Sequence, residues 1–203
     1  MDKDVVIVSA VRTAIGDFGG SLSGLSPADL GAAVAREAIG RAGIAAAKIE
    51  QTVFGNVIHT APQDMYVSRV VALRAGVPYT APALTLNRLC GSGLQAVVTA
   101  CEQIKLGHAT TVLAGGTESM SRAGHLLTQV RAGQKLGDVV AVDMMIGALT
   151  DPFGSGHMGV TAENVAAQCG ISREMQDDFA FASHLRASHA IAEGHFKEQI
   201  LNC

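Results

Sequence analysis

The residues best suited to chemistry lie in one stretch, Asn87-Arg88-Leu89-Cys90-Gly91-Ser92-Gly93-Leu94-Gln95-Ala96. Cysteine supplies a strong nucleophile that forms covalent acyl intermediates. Cys90 sits between a strand-like run, Ala83 to Leu86, and a helix-like run, Leu94 to Leu106. That placement predicts a thiol at a helix N-terminus, where unpaired N–H groups and the helix dipole favour the thiolate. Gly91 and Gly93 keep side-chain bulk away, so a substrate carbonyl can approach closely. On spacing alone, the competing reading is a small buried structural cysteine.

The elements around this stretch read as alternating strands and helices. Val5 to Val11 is an apolar, β-branched run expected to form a buried strand. A glycine-rich loop follows from Arg12 to Gly24. Ser26-Pro27-Ala28-Asp29 then opens a helix with a cap, a proline at the first helical position and an acid in the first turn. Leu30, Val34, Ala38 and Ile39 keep helical spacing, and Gly43 is the expected stop. Further strands are expected at Thr52–Ile58, Leu84–Leu86 and Thr111–Ala114, with a helix from Met65 to Arg74 capped by Asp64. The helix after Cys90 is apolar on nearly every side up to Glu102, which predicts burial on most faces, as for a central helix between two sheets. The alternation predicts an α/β layer with a largely parallel sheet. From Thr117 to Gly159 glycines and methionines break any period, the mark of a functional excursion rather than a linker. Two helices close the chain, one capped by Thr161 and one by Ser172 that stops at Gly194.

Composition narrows the function classes. Hydrophobic residues make up 48% and charged residues 16% of the 203, so much surface is expected to be buried in a core or against partners. A net charge of −3 gives no sign of a nucleic-acid or polyanion ligand, and scarce tyrosine with no tryptophan argues against base-stacking platforms. The four cysteines, at 90, 101, 169 and 203, include no CxxC pair and no zinc spacing. They point to a reducing, cytoplasmic compartment. Met1-Asp2-Lys3-Asp4 leads straight into the first strand with no signal-peptide character, and no apolar run reaches the ~18 residues of a membrane span.

Five ordered segments resemble the thiolase family. They are Val8-Ser9-Ala10-Val11-Arg12-Thr13 with Gly16, Phe18, Gly19 and Gly20; Gly55-Asn56-Val57; Asn87 to Gly93; Gly115-Gly116-Thr117-Glu118-Ser119-Met120-Ser121; and His157-Met158-Gly159-Val160-Thr161-Ala162-Glu163-Asn164. The wording is most similar to bacterial acetyl-CoA acetyltransferases and β-ketothiolases. The resemblance implies a thiolase-type layered α/β fold, with a mixed-sheet N-terminal domain over 1–116 and an inserted loop domain with its following helices over 117–203. It implies an acyltransferase that forms or cleaves a 3-ketoacyl-CoA, such as acetoacetyl-CoA, through an acyl group on Cys90. His157 and Met158 then fall at the acyl-CoA pocket, with Met158 beside the acyl group, and Leu149 at a position that touches the CoA arm. Acetyl-CoA and 3-ketoacyl-CoA are substrates, and no further cofactor or metal is implied. A homodimer or homotetramer is expected, with Leu126 to Gly137, including Arg131 and Lys135, at tetramer contacts; a plain solvated loop is the alternative.

The same resemblance marks what these residues do not contain. Thiolases take a Gly-His-Pro histidine, a Cys-x-Gly-Gly-Gly cysteine and an Asn-Glu-Ala-Phe asparagine from the second half of a duplicated fold. No Gly-His here is followed by proline, and the other two motifs do not occur. Arg122-Ala123-Gly124-His125 also departs from the family wording. The chain is therefore expected to carry the first half of a thiolase and to be inactive alone. The competing functional reading is a non-catalytic half-domain that only packs or binds acyl-CoA; a degenerate acyl-carrier or lipid-binding relative is a third, disfavoured by the intact Cys90 motif. Cys101, Cys169 and Cys203 read as structural, and His59, His108, His125, His184, His189 and His195 as surface or satisfied histidines.

Overall fold

A computed structural model describes residues 4–202, so Cys203 lies outside the described residues. The first strand, β1, is only Arg12–Thr13. Helix α1 (Pro27–Ala42) begins as its sequence dictates. Ser26 Oγ accepts from Asp29 N at 3.1 Å, and the Asp29 carboxylate accepts from Ser26 N at 3.3 Å. Such a cap stabilises a helix by about 0.5–2 kcal/mol. Then come β2 (Gln51–Gly55), α2 (Val67–Arg74), β3 (Ala83–Leu86), α3 (Ser92–Lys105) and β4 (Val112–Gly116). These form a three-stranded, all-parallel sheet in the order β3-β2-β4. Thr52 pairs with Ala83 on one side and Leu113 on the other.

Central strand β2 is covered on both faces, which is why its residues read as a run rather than an alternation. Phe54 and Leu113 enter one cluster with Ala28, Ala35 and Ile39 of α1 and Val67 and Val71 of α2. Val53 and Gly55 face the other way, toward α3, which lies against β2 and β4. Asp64 does not cap α2. It sits in a short 3₁₀ turn, Pro62–Tyr66, and its carboxylate accepts from Thr60 N and Ala61 N at 2.7 and 3.0 Å.

Beyond β4 the elements are small: a hairpin of β5 (His125–Leu127) and β6 (Ala141–Asp143), helix α4 (Met144–Ala148), and a second hairpin of β7 (Thr150–Asp151) and β8 (Gly156–His157). Helices α5 (Met158–Cys169) and α6 (Arg173–Ala192) follow, and β9 (Ile200–Leu201) pairs in parallel with β1. Among the described residues, no helix is long and apolar enough to cross a membrane.

Three further expectations are corrected. Val5–Val11 is not a buried strand: Val6, Ile7 and Val8 are 72, 75 and 66% exposed. A strand needs a ladder partner, and the outer edge of β4 does not pair with this run; the two line a cleft of about 460 Å³ instead. Helix α3 is not buried on most faces, because only its sheet-facing residues Ser92, Ala96 and Ala100 are covered and Leu94 is 72% exposed. Its outer apolar face has no second layer within residues 4–202. Finally, α5 is capped by His157 rather than Thr161, because His157 keeps extended backbone angles while Thr161 is already helical; the Ser172 cap of α6 forms as expected, accepting from Met175 N at 3.2 Å.

Candidate active site

All three parallel strands point their C-terminal ends at one place, the usual position for a ligand in an open α/β sheet. The β3 exit carries the Cys90 loop, and hydrogen bonds fix its shape. Asn87 Oδ1 accepts from Leu89 N at 2.9 Å. Ser92 Oγ accepts from Arg88 N at 2.8 Å and donates to Leu89 O at 2.6 Å. Arg88 also donates to the Gln95 side chain. Within this wound turn Leu89 has φ +47°, the only non-glycine with positive φ among the described residues. Cys90 is exposed, one residue before the Gly91 cap of α3, so the thiol does sit at a helix start.

The close seating of that helix depends on two glycines at the other strand ends. A Cβ on Gly55 would lie 2.6 Å from Ser92 Cβ, and one on Gly116 would lie 3.2 Å from Gly93 Cα. A side chain on Gly55 forces the first turn of α3 to shift, and one on Gly116 presses on the same turn more mildly.

Cys90 lines a cavity of about 470 Å³. Leu89, Ser92 and Gly93 form its α3 side; Asn56, Val57 and Ile58 come from the β2 exit; Thr117, Glu118 and Met120 come from the β4 exit; Ala148 and Leu149 close it from the end of α4. Leu149 is thus brought together with Cys90. His157 and Met158 are not on this wall. They adjoin Leu149 along the backbone, with Met158 N donating to Leu149 O at 2.9 Å and His157 Nδ1 accepting from Gly159 N at 3.1 Å. Among the described residues, no cluster of histidine, cysteine and carboxylate side chains could hold a metal.

Sequence reasoning passed over Asn56 and Glu118 as site residues. The Glu118 carboxylate accepts from Val57 N at 2.9 Å, Ile58 N at 3.1 Å and Asn56 Nδ2 at 3.1 Å. Burial pushes its pKa up, against the backbone N–H bonds that pull it down. Both residues stood inside the Gly55-Asn56-Val57 and Gly115-to-Ser121 segments, but nothing in the letters says that they meet.

The thiolase N-terminal domain profile matches residues 5–202. The chain belongs to the thiolase family. It is 57% identical over 201 residues to the β-ketothiolase BktB of Cupriavidus necator, covering 99% of this chain and 51% of that protein. It is 46% identical to an acetyl-CoA acetyltransferase of the same organism, covering 98% of this chain and 50% of that one. The crystal structure of human mitochondrial 3-ketoacyl-CoA thiolase in complex with CoA superimposes with a TM-score of 0.92 at 39% identity, covering 95% of this chain and 49% of the human one. The chain therefore spans about half the length of the thiolases it matches, and its fold is that of a thiolase N-terminal half.

Proposed function

We propose that this chain is the acyl-accepting half of a thiolase that forms or cleaves a 3-ketoacyl-CoA. One observation carries the reading: the thiol of Cys90 opens into a cavity where three parallel strands end and an α-helix begins. In the first step the Cys90 thiolate attacks a thioester carbonyl. The C–S bond to CoA breaks, the acyl group stays on Sγ, and CoA leaves as its thiol with the proton Cys90 gave up. The backbone amides at the start of α3 supply positive potential for the anionic intermediate. Leu149 contributes apolar wall for the acyl-CoA, with His157 and Met158 flanking it on the next strand and helix. Acetyl-CoA and 3-ketoacyl-CoA are the substrates, with no separate cofactor. A nucleophilic thiol suits a reducing cytoplasm, and the exposed apolar side chains of α5 and α6 suit a homodimer or homotetramer.

Deprotonating a second acetyl-CoA needs a free base, and both oxygens of Glu118, the titratable group sharing this wall with Cys90, already accept N–H bonds. Losing a general base costs about 10²–10⁴-fold in rate. The 203-residue chain is therefore expected to take an acyl group slowly and to show no turnover. The test is incubation with acetyl-CoA, then peptide mass spectrometry: the acetyl group is expected on Cys90 and lost in Cys90→Ser. Acetyl on Cys101 or Cys169, or no label at all, overturns the reading in favour of a half-domain that only packs.

A further inference from the structure

We propose that Glu118 is a positioning residue for acyl transfer at Cys90, a clasp joining the three strand exits that wall the cavity. This rests on the acyl-acceptor reading above. The clasp can be traced bond by bond. Thr117 N donates to Gly55 O at 3.0 Å, tying the β4 exit to β2. Asn56 N donates to Leu86 O at 3.1 Å, tying the β2 exit to the last residue before the Cys90 loop. The Asn56 side chain donates to Thr117 O at 2.9 Å and to Glu118. The backbone past Asn56 leaves the sheet, so Val57 and Ile58 lose their strand partners, and Glu118 accepts from both.

A carboxylate is suited to this place because each oxygen only accepts. Glutamine would turn one acceptor into an NH₂ donor facing N–H groups, and a protonated Glu118 meets the same conflict with its O–H. Because burial raises the Glu118 pKa, that conflict begins at a milder acidity than for a free glutamate. Other ionisable groups around it are His59, whose charge acts in the opposite sense, and Cys90 on the same wall. Arg88 and Arg122 are turned to Gln95 and to the carbonyl of Gly24, and Asp143 caps α4.

The experiment compares two reactions of Cys90 in the 203-residue chain, acetylation by acetyl-CoA and alkylation by iodoacetamide, across pH 5–8. Alkylation reads the thiol's access and ionisation; only acetylation needs the cavity walls in register. Glu118→Gln is expected to lower the acetylation-to-alkylation ratio by about 10- to 100-fold, the scale of a small misplacement of reacting groups. Glu118→Asp, which keeps the charge, is expected to restore part of it. The ratio should fall with acidity in the parent chain and be flat in Glu118→Gln. An unchanged ratio in Glu118→Gln overturns the assignment and leaves Cys90 as acyl acceptor. Equal losses of both reactions also overturn it, because they show that the substitution acts on the thiol's access or ionisation and not on the cavity walls, and so does a lowered ratio in a variant whose circular dichroism and urea midpoint show that it has unfolded. A parent chain that acetylates no Cys90 overturns both proposals together.

Discussion

Residues 26 to 119 and residues 121 to 202 are joined in one chain but solve different problems. Every buried residue among those described falls between Ser26 and Ser119; none from Ser121 to Asn202 is buried. The first region has helices on both faces of a sheet and so supplies its own interior. The second spends apolar side chains on helices with nothing over them: Met175, Phe179, Phe181 and Leu185 of α6 are all exposed. A helix of this kind draws its stability from packing against something else. The difference teaches that most of the Cys90 cavity is built by the self-sufficient region, with Ala148 and Leu149 closing it from the excursion, while α6 leaves its apolar side chains uncovered.

The strongest way to break this contrast is to remove one phenyl group from each region. Phe54 is 2% exposed and Phe179 is 75% exposed. Phe54→Ala is expected to cost about 3–5 kcal/mol, enough to threaten the fold. Phe179→Ala should lie within about 0.5 kcal/mol of the parent, and should reduce self-association measured by light scattering. Urea unfolding of the two variants checks both; equal losses would erase the distinction between the regions.

A finer probe is Gly55→Ala, which adds one methyl at the seam between sheet and α3. Overpacking of this kind costs about 1–3 kcal/mol. Because the clash falls on Ser92, acetylation of Cys90 is expected to slow even where the chain remains folded. Full acetylation with a lowered urea midpoint would mean that the first turn of α3 does not set the thiol.

How far the sequence reveals such features depends on how local they are. The Ser26 cap, the Ser172 cap and the Cys90 turn were all legible, because each is decided within a few residues. Val5–Val11 misled because β-branched residues report a preference for strand, and a strand also needs a neighbour. Helix α3 misled for a related reason: an apolar surface says that it will be covered, not by which chain. Family resemblance set Leu149 at the CoA arm and Met158 beside the acyl group, whereas the end of α4 brings Leu149 to the wall of the Cys90 cavity and Met158 does not line it. Glu118 escaped notice because its three donors lie about sixty positions earlier in the chain.

The smallest expected effect sharpens the contrast at the level of one cap. Ser26→Ala should cost about 0.5–2 kcal/mol at neutral pH. The Ser26 hydroxyl is the main cause of the lowered pKa of Asp29, with Arg74, 2.6 Å away, a lesser one. A lowered carboxyl adds stability above its unfolded pKa and loses it as pH falls through the folded one. The Ser26→Ala penalty is therefore expected to shrink in strong acid. Ser172→Ala, at the head of the uncovered α6, should fray that helix without moving the urea midpoint; hydrogen exchange of the first-turn amides of α6 would report it.

Leu89 has a consequence for selection. Its left-handed backbone costs a branched residue roughly 1–2 kcal/mol, held in place by Asn87 and Ser92. Glycine at this position would relieve that cost and free the turn that aims the neighbouring thiol. A library screened for folding should therefore drift toward glycine at residue 89, while one screened for acyl transfer should keep leucine. The two pressures act in opposite directions on a single codon, next to that of Cys90.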